Sequence, residues 1–212
     1  MIRKIHSLFG IIPIGIFLIV HLLLNSTVLN GSGVGSYPVI VNIMKGGGAY
    51  INILELVIIA APLLIHGLYG LYIVYIAKNN ALQYTYYRNW AFYLQRITAL
   101  ITFAFLIWHV WHLRLSFEEP KDIINQMIAI LQNPLYFALY VIGVVSAAFH
   151  FANGKATFAM TWGLTVGPKS QNFMTLVSLG TFVLLSVLGI AILYKFSIAT
   201  PVTVAFLTGG AF

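Results

Sequence analysis

The sequence contains no cysteine, which excludes disulfides, thiolate zinc sites, iron–sulfur ligation and covalent c-type haem attachment within the chain. Charge is also scarce: 7% of the 212 residues are Asp, Glu, Lys or Arg, against about 25% in soluble domains. Only four residues are acidic, so a hard-cation site built from several carboxylates is excluded. What the chain has is apolar bulk, with 60% hydrophobic residues and a mean hydropathy of +0.94. Eleven Lys and Arg give a net charge of +7. They are scattered between long apolar runs and form no stripe or patch, so nucleic acid is rejected as a partner. In a membrane protein the same excess reads as a topology signal and as contact with anionic lipid.

A helix needs about 20 mostly apolar residues to cross the hydrocarbon core. Five stretches fit, approximately 8–29, 53–77, 90–113, 135–152 and 173–194. The expected fold is an all-α integral membrane protein of five transmembrane helices, forming a single domain over residues 1–212 with no internal repeat. The basic start MIRKIHSLFG lacks a small-residue cleavage site and reads as the beginning of a retained first helix. With the N-terminus cytoplasmic, the inner side holds Arg3, Lys4, Lys78, Arg88, Lys155 and Lys169, and the outer side Lys45, Arg114, Lys121 and Lys195. Six against four favours this orientation.

Four of the five spans carry a histidine: His21, His66, His109 and His150. Ionisable residues inside spans are costly and face the bundle interior, where they bind, relay or coordinate. Neutral imidazole ligates iron, copper and zinc, and two pairs of histidines suit two bis-histidine haems with both axial positions filled. Copper and a proton relay are the alternatives, although a relay would normally include more acids. From a rise of 1.5 Å per residue, His21 lies about 20 Å and His109 about 29 Å from the inner surface, His66 about 17 Å, and His150 roughly 3–8 Å. Pairing His109 with His150 is implausible at these depths. His21 with His109 and His66 with His150 match best. His21 with His150 and His66 with His109 match less well and stay open, because helices tilt. Gly70, Gly143 and Gly154 fall on the histidine faces, where a missing side chain suits a flat macrocycle or ordinary helix packing. Pro62, four residues before His66, is expected to bend the second span.

The segments RKIHSLFGIIPIGIFLIVH (3–21), LELVIIAAPLLIHGLYGLYIVYIAKNNA (54–81), YYRNWAFYLQRITALITFAFLIWHVW (86–111), FHFANG (149–154) and WGLTVGPKSQ (162–171) together resemble the diheme cytochrome b membrane anchor of succinate:menaquinone oxidoreductases, of the single-polypeptide type found in Bacillus-like bacteria. The resemblance covers nearly the whole chain. The glycine-rich connection between the first two spans departs from the family in length. The resemblance implies a bundle enclosing two b-type haems in a bacterial plasma membrane, with His21 and His109 on the distal iron and His66 and His150 on the proximal one. It implies a flavoprotein subunit and an iron–sulfur subunit docked on the cytoplasmic side. Electrons from succinate would run through the iron–sulfur centres and both haems to menaquinone near the outer face. The same anchor in a quinol:fumarate reductase, and a haem-free structural anchor, are the rival readings. No dicarboxylate or flavin site is expected in this chain.

Four further residues stand out. Glu55 is the sole acid within a span. It lies eleven residues before His66, about 20° from the same face and about 16 Å further out on a regular helix. It is expected to exchange a proton with quinone, or to be an interfacial carboxylate paired with Lys45. Arg96, six residues inside the third span, is expected to meet a haem propionate or to snorkel to the headgroups. His6 is expected to contact a propionate of the proximal haem or the iron–sulfur subunit, or to be a solvated interfacial residue. His112 is turned about 60° from His109 and lacks partners at its depth, so it is expected to be interfacial or to face the quinone.

Overall fold

A computed structural model describes residues 1–30, 34, 53–78, 80–116 and 120–201. The connection over 35–52, including Lys45, lies outside the described residues, as do Glu118 and Glu119 and the side chain of Lys121. Among the described residues there is no strand. Five helices are long and apolar enough to cross a membrane: Ile2–Leu29, Ile53–Ile76, Tyr87–Leu115, Pro134–Thr161 and Pro168–Ser197. Four of them exceed their apolar stretch at one end or both, most of all the fourth, which runs nine residues past Ala152, whereas the second ends one residue short of its stretch. Hydropathy marks the part that meets hydrocarbon, whereas hydrogen bonding continues through interfacial turns such as NGKATFAMT. There Ala156 and Ala159 continue the buried line begun by Ala152 at helical spacing.

The first span is two helices, α1 (Ile2–Ile11) and α2 (Pro13–Asn25), followed by a 3₁₀ turn, Ser26–Leu29. Pro13 has no N–H and crowds the carbonyl four residues back. The path stays continuous because Ile12 N donates to Leu8 O at 2.8 Å and Ile16 N to Ile12 O at 3.2 Å. Beyond His21, the Ser26 and Thr27 hydroxyls donate to Leu23 O and Leu24 O, at 2.7 and 2.8 Å. Such back-bonding accompanies the tightening of the last turn.

The second span contains a π-helical turn, Leu56–Ala60, and then α3 (Ala61–Ile76). Ala61 N–H reaches back five residues to Leu56 O, immediately before Pro62, whose ring disfavours the regular ladder. The irregularity expected at Pro62 is thus a widened turn. The third span is α4 (Tyr87–Val110), ending in a second π turn, Trp111–Leu115. A short helix, α5 (Pro120–Gln132), precedes the long α6 (Pro134–Thr161) and α7 (Pro168–Ser197). Asn133 caps α6, its side-chain oxygen accepting from Leu135 N and Tyr136 N at 3.0 and 3.4 Å. This is the usual service of an N-cap to otherwise unpaired donors.

The α1–α2 span, α3, α4 and α6 form a ring of four, so that the first span faces α4 across the bundle and α3 faces α6. Helix α7 lies outside this ring against α6. Small residues let the two approach: Ser146, Ser178 and Ser186 are buried, and a Cβ on Gly189 would collide with Val144. Close backbone approach through small residues is the common means of helix association in lipid. The opposite side of α7, with Leu176, Leu179, Leu184 and Val187 exposed, is apolar enough to face acyl chains.

The densest packing is at the end of the bundle away from the N-terminus. Ile124, Ile128, Ile130 and Leu131 of α5 join Val28, Tyr140, Ile192, Leu193 and Phe196 in one buried cluster. Helix α5 is not among the elements expected from hydropathy. At thirteen residues it is too short to span, and its apolar positions recur at 124, 127/128 and 131, one face of a helix lying on the bundle end.

Candidate functional site

The interior of the ring holds the four span histidines as two facing pairs. His21 of α2 and His109 of α4 have ring centroids 6.1 Å apart with planes at 89°. His66 of α3 and His150 of α6 have centroids 6.1 Å apart with planes at 82°. No other pairing of the four is in ring contact among the described residues.

The N-terminal-side pair is locked by backbone carbonyls. His66 Nδ1 lies 2.8 Å from His6 O, and His150 Nδ1 lies 3.1 Å from Gln95 O. A carbonyl oxygen only accepts, so each Nδ1 carries the proton and each Nε2 keeps a free lone pair, the state in which a histidine binds metal. Gln95 returns the contact by donating from Nε2 to His150 O at 2.9 Å. Asn153 Nδ2 donates to Gln95 Oε1 at 2.8 Å and to Ala91 O at 3.2 Å. Each end of this network thus belongs to both α4 and α6. The opposite pair has a sparser setting. His109 Nδ1 is 3.4 Å from the hydroxyl of Tyr140, which is 1% exposed. His21 Nδ1 is buried with no hydrogen-bond partner among the described residues.

Both pairs have the dimensions of bis-imidazole ligation. Two nitrogens about 2 Å from one metal, with ring centres about 1 Å behind them, set those centres roughly 6 Å apart. Among the described residues no three His, Asp or Glu side chains converge on one point, so each pair offers two protein ligands. That donor set fits a metal whose remaining positions are filled by a macrocycle. Two buried donors near the N-terminal-side pair have no partner among the described residues, His6 Nε2 and Arg96 Nε.

His6 stacks on His66, with centroids 4.1 Å apart and planes within 3°, and is not a solvated interfacial ring. The Arg96 guanidinium lies over the Phe92 ring at 3.1 Å and its Nη1 donates to Phe92 O, on the preceding turn of α4.

Glu55 pairs with Arg114, whose Nη2 and Nε lie 2.8 and 3.2 Å from Oε2. The partner expected for it, Lys45, is outside the described residues. The expected alignment of Glu55 with His66 changes as well. A wheel count assumes a regular helix, and the π turn at Leu56–Ala60 inserts one residue, turning Glu55 to about 80° from the His66 face instead of about 20°. His112 Nδ1 bonds to Trp108 O at 3.0 Å within its own helix and takes no part in either ring pair.

At the three glycines on the histidine faces the nearest protein atoms belong to side chains of neighbouring helices. A Cβ on Gly70 would meet His6, one on Gly154 would meet Gln95 at 3.4 Å, and one on Gly143 would run into the Phe105 ring. Gln95, Asn153 and Tyr140 are the site neighbours that spacing does not reveal. They are uncharged, and their roles depend on which helices meet.

A family model described as the succinate dehydrogenase/fumarate reductase transmembrane subunit matches residues 77–190. The succinate dehydrogenase cytochrome b558 subunit of Bacillus subtilis (strain 168) is 44% identical over 195 residues, covering 92% of this chain and 95% of that protein. With four span histidines inside a five-helix membrane bundle, the chain belongs to the family of succinate dehydrogenase/fumarate reductase transmembrane subunits.

Proposed function

We propose that this chain is the quinone-reactive anchor of a succinate dehydrogenase, acting as one five-helix cytochrome b domain over its whole length. It would hold two b haems, the proximal one between His66 and His150 and the distal one between His21 and His109. The single observation that carries this reading is the recurrence of the 6.1 Å ring spacing at two levels of one bundle, which is what two bis-imidazole irons need. The haems supply one-electron transfer between the iron–sulfur subunit and menaquinone.

The chain's own residues hold, orient and insulate. The His6 and Gln95 carbonyls fix the tautomers of His66 and His150. Phe105 and Tyr140 pack beside His109 and keep its surroundings apolar. His6 Nε2 and Arg96 Nε are the buried donors available for propionate oxygens. Glu55, half-exposed at the opposite end, is the carboxylate available to exchange a proton with quinone. Arg3, Lys4, Lys78, Arg88, Lys155 and Lys169 fall on the N-terminal side, which supports a cytoplasmic N-terminus in a bacterial plasma membrane. The flavoprotein and iron–sulfur subunits would dock there.

Reduced-minus-oxidised spectra of membranes containing the chain, with haem quantified per polypeptide, test the reading. The expected result is a b-type band, two haems per chain, and loss of one of them in His21→Ala or His66→Ala. A native protein without the band would end it. The family description also names fumarate reductase, and comparing succinate oxidation with quinol-driven fumarate reduction in the same membranes separates the two directions.

A further inference from the structure

The haem reading gives His66 and His150 the same task, yet His66 has a setting that its partner lacks. The N-terminal helix α1 wraps one turn around it. The carbonyl of His6, sixty residues away in sequence, accepts its Nδ1–H at 2.8 Å. The His6 ring lies parallel on it at 4.1 Å. Between these contacts stands Gly10, where a Cβ would lie 2.5 Å from Cε1 and 2.9 Å from Nδ1 of the same imidazole. In a regular helix His6 O accepts from the N–H of residue 10, so the ring sits over the turn formed by 6–10 and needs that turn to be bare. The turn is itself fastened to the helix that bears His150. Trp162, just past α6, donates from Nε1 to Ser7 Oγ at 3.1 Å, and Lys4 Nζ lies 5.3 Å from the centre of its ring.

We infer that residues 6–10 form a positioning element for His66. Gly10 and the His6 carbonyl set the orientation and tautomer of the ring, and Trp162 holds that element in register with α6. Gly10 is a positioning residue, acting on the iron site through His66. The inference rests on the haem reading, and the experiment separates the two.

The test uses the full chain in its membrane complex, with haem per polypeptide and the low-spin ferric electron paramagnetic resonance signals as readouts. Gly10→Ala is expected to accumulate with half the haem per chain of the unmodified protein, the missing signal being the one lost in His66→Ala. Gly189→Ala, an equally tight glycine site that faces Val144 from α7, outside the four-helix ring, is expected to keep the His66 signal. Ser7→Ala, which removes the hydrogen bond that fastens the element to Trp162, is expected to keep both haems and to shift the His66 signal, and Ser7→Thr, which keeps a hydroxyl, to leave that signal in place. Two haems and unaltered signals in Gly10→Ala would overturn the inference alone, as would equal losses in Gly10→Ala and Gly189→Ala. Absence of haem from the unmodified protein would overturn the haem reading with it. If Gly10→Ala does not accumulate, the Ser7 variants decide: a shift in Ser7→Ala that Ser7→Thr does not show supports the positioning element, and an unchanged signal in Ser7→Ala overturns it.

Discussion

At the N-terminal end of the bundle the helices meet through hydrogen bonds. His150, Gln95 and Asn153 join α6 to α4, and His66 joins α3 to α1. At the opposite end, apart from the partly exposed Glu55–Arg114 pair, they meet through apolar packing, with Phe196, Tyr140, Ile124, Ile128 and Val28 each 1% exposed or less, while His109 has one long contact to a phenol. Hydrogen bonds are directional and state where a ring must point. Apolar contact is non-directional and scales with the area removed from water. Orientation is therefore specified at one end, and packing energy is concentrated at the other.

The sharpest way to break this contrast is to open the apolar end. Phe196→Ala should cost about 3–5 kcal/mol, read as a lower midpoint for thermal loss of helicity in detergent. The His21/His109 site should fail at lower temperature than the His66/His150 site. Loss of both together would mean that the two ends are one cooperative unit. Next in size is the hydrogen-bonded end. Gln95→Leu removes the donor to His150 O and the acceptor for Asn153, leaving that amide short of a partner. The expected cost is about 1–3 kcal/mol, with a changed signal from the His66/His150 site alone. An equal change at the other pair would refute the separation.

Two smaller effects sharpen it. Tyr140→Phe should cost below about 1 kcal/mol, because a 3.4 Å contact is a weak hydrogen bond, and its spectral effect should be confined to the His21/His109 site. Glu55→Gln should change stability least, since its bond to Arg114 joins side chains 35% and 40% exposed and such pairs contribute up to about 1 kcal/mol. Quinone turnover should nevertheless fall while both haem spectra persist. Normal turnover in Glu55→Gln would remove the carboxylate from any proton step, and Arg114→Gln separates the ion pair from the carboxylate itself.

Much of the architecture is legible from run length alone, because crossing a membrane demands about 20 apolar residues and little else does. Depth along each helix narrows which histidines stand level, since rise per residue is nearly constant. Angle is less secure. Two π turns interrupt the count, and neither Leu56–Ala60 nor Trp111–Leu115 departs from its neighbours in composition, so the facing of Glu55 is set by tertiary context. Helix α5 escapes the hydropathy criterion because it lies on the bundle end and never crosses. Gly70, Gly143 and Gly154 are recognisable as places of close approach, but what approaches depends on neighbours remote in sequence. Gln95 and Asn153 become visible only once α4 and α6 are side by side.

The order of the four histidines along the chain carries a further consequence. They occur as 21, 66, 109 and 150, and the facing pairs are 21 with 109 and 66 with 150, so the pairs interleave. No cut through a connecting loop yields one fragment with a complete pair and a second fragment with the other. As the chain emerges from the ribosome and enters the membrane, His21 waits for the third long helix and His66 for the fourth. The pair remote from the N-terminus is the first that synthesis can complete, and the pair beside the N-terminus must remain open until His150 has been inserted.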